Sequence, residues 1–209
     1  MKKIGFYGSS FDPITNVHLW TANTISDRFG LDKVIFGPCS NKRTDKIMQT
    51  EDVHRWNMLQ LAIAGEEKFI ADDYEMKRNA WEISTRDTMR HYRNKYKDAE
   101  VFFIMGADLL VDIAEGKWDH TEELIAENRF IIMARNNINV ANVIATSPIL
   151  RNYESLDKPK FINIDKGFQM EISSTYIRQE FERGGDPKYL MPAECYDYIK
   201  EHKLYMGGK

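Results

Sequence analysis

The sequence predicts a doubly wound α/β fold: a parallel sheet with helices on both faces and a small C-terminal helical part. Three observations carry that expectation. Short apolar runs of β-favouring residues alternate along the chain with stretches of helical spacing. The connections are long enough for the right-handed crossovers that join parallel strands. The clearest run, Val101-Phe102-Phe103-Ile104-Met105, is apolar without alternation, the pattern of a strand buried on both faces.

Taken in order, residues 2–8 read as the first strand, with Ile4, Phe6 and Tyr7 β-favouring and a glycine at its end. From Thr15 the spacing becomes helical, placing Val17, Leu19, Ala22, Ile25 and Phe29 on one side. Residues 33–37 form a second strand, closed by Gly37-Pro38. Thr50 is placed to cap the next helix, whose apolar stripe is Trp56, Leu59 and Ile63. Residues 69–71 are strand-like, and Ser84 or Thr85 opens a helix running toward Lys95. Beyond the strand at 101–105 come helical residues 109–113, a helix near 121–127, and strands at 129–134 and 161–164. Two helices complete the chain: 174 to about 183, stopped by Gly184-Gly185, and 192 to about 203, opened by Pro192. The whole reads as a single domain, with a sheet core to about residue 170 and C-terminal helices over 171–209. The ligand is expected across the strand C-termini where the strand order reverses, at Gly8, Gly37, Gly106 and Ala134.

Composition removes several classes. Hydrophobic residues at 43% and charged residues at 29% describe a folded chain rather than a disordered one. A formal charge of −3 gives no global attraction to nucleic acid or acidic membranes. Cys39 and Cys195 lack metal-site spacing and read as free thiols in a reducing compartment. No apolar run reaches membrane-spanning length, and Met1-Lys2-Lys3 leads directly into a strand, so a cytoplasmic protein is expected. Oligomeric state is open, a homo-oligomer included.

The chemistry concentrates in two stretches. A strand passes through Gly8-Ser9-Ser10-Phe11-Asp12-Pro13 into a helix, and free N–H groups at a helix start favour an anion. Thr15 and His18 share one face of the first turns, so a hydroxyl and an imidazole border a phosphate-sized pocket. The turn lacks both the six-residue dinucleotide fingerprint and the Walker ending, which argues against a dehydrogenase or a P-loop ATPase. The second stretch, Glu171-Ile172-Ser173-Ser174-Thr175-Tyr176-Ile177-Arg178, gathers hydroxyls and a guanidinium at another helix start. It reads as a polyphosphate clamp, or as a cap by Ser173 or Ser174 with Arg178 paired at the surface. Residues 40–46 form either a solvated loop or a basic flap. Asp108, at the end of a strand after Gly106, suits ribose hydroxyls.

These residues carry a resemblance. Gly8-Ser9-Ser10-Phe11-Asp12-Pro13 with Thr15-Asn16-Val17-His18 resembles the (H/T)xGH signature of the nucleotidyltransferase superfamily. Residues 172–178 resemble its second signature, ISSTxIR. Met105-Gly106-Ala107-Asp108, Lys117-Trp118, the run 55–63 and Asp73-Tyr74-Glu75-Met76-Lys77-Arg78 resemble nicotinate/nicotinamide mononucleotide adenylyltransferases. Thr15 and Val17 depart from the box, and residues 14–19 look more like eukaryotic members. Ser84 stands where many bacterial members have tyrosine.

The resemblance implies a Rossmann-like fold and transfer of the adenylyl group of ATP to nicotinate mononucleotide. Nicotinamide mononucleotide remains open as a preferred or equal acceptor. Rival readings are another phosphate-monoester nucleotidyltransferase, such as pantetheine-phosphate adenylyltransferase, and a non-catalytic ATP-sensing module. The resemblance implies Mg²⁺ held mainly by ATP phosphates and water. It implies catalytic roles for His18, Thr15 and Arg178. ATP contacts are expected from Gly8, Ser9, Ser10, Phe11, Gly106, Asp108, Ser174, Thr175, Arg178 and Lys46, or else Lys42. Trp118 is expected under the pyridine ring, Thr85 at its carboxylate or amide, and Arg135 at the border.

Overall fold

In the computed structural model, which describes residues 1–43, 47–135, 137–154, 158–164 and 172–207, six parallel strands form one sheet. They are β1 (Lys2–Ser9), β2 (Lys33–Pro38), β3 (Phe69–Ala71), β4 (Ala99–Gly106), β5 (Arg129–Met133) and β6 (Phe161–Ile164). Their order is β3-β2-β1-β4-β5-β6, so the direction of winding reverses between β1 and β4. Register pairs Phe6 with Ile35 on one side and with Phe103 on the other.

Strand side chains alternate between the faces, and two cores result. On one face Val34, Phe36, Ile104 and Ile131 pack beneath α1 (Asn16–Phe29), α2 (Asp52–Ala62), α8 (Ser174–Glu182) and α9 (Ala193–His202). On the other, Phe6, Ile35, Phe103, Met105 and Phe130 pack beneath α3 (Thr85–Lys95), α4 (Ala107–Ala114) and α5 (Thr121–Glu127). The C-terminal helices share the first core, through Ile177, Phe181, Cys195 and Ile199. Cys39 and Cys195 are both buried thiols outside any disulfide. Among the described residues no helix is long and apolar enough to cross a membrane.

The helix ends follow local chemistry. Gly30 adopts φ 59° and closes α1 with a bond from its N–H to Ser26 O. Ser84 caps α3, its hydroxyl accepting from the Asp87 N–H. Thr50 does not cap α2: Glu51 occupies the N-cap position without a side-chain bond, and Thr50 lies one residue too early. Pro192 is likewise the N-cap of α9 rather than its first residue. Sequence reading missed α6 (Val140–Thr146) and α7 (Pro148–Arg151). Both are short, yet the Asn139 cap and the Ser147-Pro148 start were available signals.

Candidate active site

The β1–α1 loop is held from several sides. Phe11 takes φ 46°, sparsely populated for a bulky residue, and its fully buried ring contacts Tyr7, Phe36 and His18. The buried Asp12 carboxylate accepts from the Gln49 N–H at 2.8 Å and the Tyr205 hydroxyl at 2.6 Å. Burial and the neighbouring Asp12 push the Tyr205 phenol above its ordinary range. Arg55 is wholly buried and donates to Ser10 O and Cys39 O, each at 2.6 Å, while pairing with Asp52. The Cys39 N–H donates to Ser9 O at 2.9 Å. The backbone carbonyls of Ser9 and Ser10 therefore brace the loop.

Thr15 caps α1, and His18 closes a reciprocal capping box with it. The Thr15 N–H donates to His18 Nδ1 at 3.0 Å, and Thr15 Oγ1 lies 2.8 Å from the same nitrogen. A backbone N–H can only donate, so Nδ1 is the acceptor and the neutral ring carries its proton on Nε2. Burial, and secondarily the Arg135 charge, lower the His18 pKa to about 4. The imidazole is thus neutral at pH 7, with an N–H donor. It lines a small cavity of about 70 Å³ with Tyr7, Gly106 and Arg135 at the β1/β4 reversal.

The start of α8 docks on the same loop. Ser173 is its cap, accepting from the Tyr176 N–H at 3.2 Å. Ser174 Oγ donates to Pro13 O at 2.7 Å, and Arg178 Nη1 to Asp12 O at 2.6 Å. Arg178 Nη2 reaches Thr175 Oγ1 at 3.2 Å, and Nε is buried without a hydrogen-bond partner. Thr15, His18, Ser174, Thr175 and Arg178 therefore gather around residues 11–13, with two helix N-termini beside one loop.

At the end of β4, Arg135 Nε stands 3.6 Å from Asp108 Oδ1, a buried oxygen without a hydrogen-bond partner. A side chain at Gly106 would collide with Asp108 Oδ1 and come within 2.9 Å of Arg135 Cδ. Glycine is needed there for that approach. Gly37 answers a different need: a Cβ would enter the Phe6 ring, so packing rather than ligand approach fixes it.

A larger cavity of about 550 Å³ opens beside Gly8 and is lined by Arg43, Glu75, Trp81, Thr85 and Trp118. Trp118 is partly buried, its ring centroid 6.2 Å from that of Phe103. Thr85 begins α3 on the facing wall. Consecutive residues of β1 line the two cavities, Tyr7 the smaller and Gly8 the larger. Lys42 donates to Arg78 O at 3.2 Å. Lys46 and Glu171 lie outside the described residues. Sequence reasoning assigned no role of their own to Arg55, Glu75 or Trp81, and took Arg43 only as part of the loop 40–46. Arg55 was detectable as a cation one helical turn before Leu59, on the apolar face of α2.

Known proteins resemble this chain in sequence and in fold. Residues 6–180 match the Cytidylyltransferase-like family. A probable nicotinate-nucleotide adenylyltransferase of Clostridium tetani is 33% identical over 98% of this chain and 100% of its own. The Plasmodium falciparum nicotinic acid mononucleotide adenylyltransferase complexed with NaAD superposes with TM-score 0.78 at 30% identity, covering 98% of both chains. The same enzyme complexed with APC gives 0.75 at 28% identity, again over 98% of each chain. The chain belongs to the cytidylyltransferase-like family and, within it, to the nicotinate-nucleotide adenylyltransferases.

Proposed function

We infer that the protein transfers the adenylyl group of ATP to the 5′-phosphate of nicotinate mononucleotide, giving the deamido dinucleotide and pyrophosphate. One observation carries the reading. Two helix N-termini and the His18 Nε2–H converge beside one loop, next to a separate cavity walled by Trp118 and Thr85.

In the reaction an oxygen of the mononucleotide phosphate attacks the α-phosphorus of ATP. The bond from that phosphorus to the bridging oxygen breaks, and pyrophosphate leaves with the electron pair. A phosphate monoester has a second pKa of roughly 6, so the nucleophile is already ionised and needs no strong base. Positioning and charge stabilisation suffice. His18 Nε2–H donates to an α-phosphate oxygen as charge builds, with Thr15 fixing its tautomer. Arg178 and the α8 N-terminus hold the β- and γ-phosphates. Asp108, paired with Arg135 through Oδ1, accepts from the ATP ribose hydroxyls. Trp118 stacks on the pyridine ring and Thr85 bonds its carboxylate.

Mg²⁺ fits as an ion carried by ATP phosphates and water, where it would neutralise phosphate charge.

The test is pyrophosphate release with ATP and Mg²⁺, comparing nicotinate with nicotinamide mononucleotide. The expected result is turnover with preference for the acid. Equal rates would overturn the acid assignment, and silence with both would overturn the reaction.

A further inference from the structure

We propose that the Tyr7 hydroxyl binds ATP, donating a hydrogen bond to the nucleoside between the phosphate at His18 and the ribose hydroxyls at Asp108. The proposal rests on the adenylyl-transfer reading above and adds a residue for which that reading has no role.

The strand places Tyr7. Side chains alternate along β1, so Phe6 enters one core and Tyr7 packs against the other, the one beneath α1. The Tyr7 ring centroid lies 5.8 Å from that of Phe11, 6.0 Å from His18 and 5.7 Å from Phe36. These contacts hold the ring, yet among the described residues no hydrogen bond engages its hydroxyl. A tyrosine hydroxyl enclosed by protein normally has a partner. Burial pushes the phenol above its ordinary range, so it is a neutral donor. The Arg135 charge opposes that shift and the Asp108 charge adds to it, which sets the hydroxyl within reach of both fields at the ends of β4 and β5.

The cavity selects the group that Tyr7 meets. Its lining mixes apolar Val17, Ile104 and Met133 with His18, Gly106 and Arg135. A phosphate would be stripped of water against those apolar groups, whereas a nucleoside has apolar faces and a few polar atoms. At about 70 Å³ the cavity takes in one edge of a nucleoside rather than a whole nucleotide. In the reaction above, His18 meets the α-phosphate and Asp108 the ribose hydroxyls, so the part of ATP lying between them is the nucleoside. The mononucleotide cavity opens instead beside Gly8, on the other face of the sheet, where the Tyr7 side chain does not reach. Phenylalanine at this position would keep the packing and leave the nucleoside without the donor.

The test is Tyr7→Phe, which removes only the hydroxyl, with thermal melting as the folding control. Calorimetry gives Kd for α,β-methylene-ATP and for tripolyphosphate; steady-state kinetics give KM for ATP and nicotinate mononucleotide. Kd for the analogue and KM for ATP should rise about threefold to tenfold, the scale of one neutral hydrogen bond. Tripolyphosphate lacks the nucleoside and should bind both proteins alike, while KM for the mononucleotide should stay within about twofold. Unchanged analogue binding in the folded variant would overturn the proposal. So would an equal weakening of tripolyphosphate, which would put the hydroxyl at the phosphates, or a loss confined to kcat. A wild type that binds the analogue but turns over neither mononucleotide would sink the reaction, and calorimetry on Tyr7→Phe would still decide the proposal. Wild-type turnover alongside unaltered analogue binding in Tyr7→Phe would sink the proposal alone.

Discussion

The Thr15 N–H donates to His18 Nδ1 at 3.0 Å, and this bond decides which imidazole nitrogen faces the cavity. The ring therefore works as a neutral donor rather than as a cation. Imidazole ¹⁵N spectra at pH 6 should show His18 protonated on Nε2 alone, with its titration displaced toward pH 4. A neutral ring protonated on Nδ1 would refute the tautomer argument, and a midpoint near 6.5 would refute the lowered pKa. His18→Ala should lower kcat by about 10²-fold, as loss of one transition-state donor does.

The same shift has a sign for stability. The folded pKa of about 4 lies below the ordinary 6.5, so between these values the unfolded chain binds a proton that the folded one refuses. Stability from this residue is intact above 6.5, declines as pH falls toward 4, and levels off below. Urea midpoints at pH 7 and pH 5 should therefore differ more for wild type than for His18→Asn. Equal differences would refute the assignment.

Arg178 spans Asp12 O and Thr175 Oγ1, a reach that an ammonium cannot copy. Arg178→Lys should raise KM for ATP about tenfold or more and cost about 1 kcal/mol of stability. An unchanged KM for ATP would remove Arg178 from the phosphate site.

Gly106→Ala should fold, because the displaced atoms are ends of flexible side chains, Asp108 Oδ1 and Arg135 Cδ. It should nonetheless weaken ATP, raising KM about tenfold through loss of a charged hydrogen bond to ribose. Mononucleotide KM should hold. The reverse pattern would place Asp108 in the other substrate's site.

Arg55→Met should lower stability by about 1–3 kcal/mol, the scale of leaving buried acceptors without their donor. It leaves Ser10 O and Cys39 O without this donor. Denaturant titration checks this, and a loss below about 1 kcal/mol would show that the loop closes without the clamp.

Local chemistry explains what could be read in advance. β-Favouring apolar runs marked the six described strands, with glycine at the ends of β1, β2 and β4; in β4, burial on both faces leaves little room for polar interruption. His18 and Arg178 were visible because helix starts advertise their free N–H groups through serine, threonine and spacing. Arg55 and Glu75 escaped because their partners are distant in sequence: Ser10 lies 45 residues from Arg55, and Thr88 lies 13 from Glu75. Such pairings depend on strand order, which spacing does not encode. At Gly37 spacing could not show the diagonal contact with the Phe6 ring, since register pairs Gly37 with Gly8.

The docking of α8 on the first loop also governs when the protein becomes competent during synthesis. Arg178 reaches Asp12 across 166 residues, and Tyr205 reaches its carboxylate across 193. Chains emerge N-terminal end first, and contacts this distant close late. A nascent chain can assemble β1 and α1 early, but the site proposed for the triphosphate is incomplete until residue 205 has cleared the ribosome. Unfinished chains therefore carry half of a phosphate cradle and should neither sequester ATP nor release pyrophosphate.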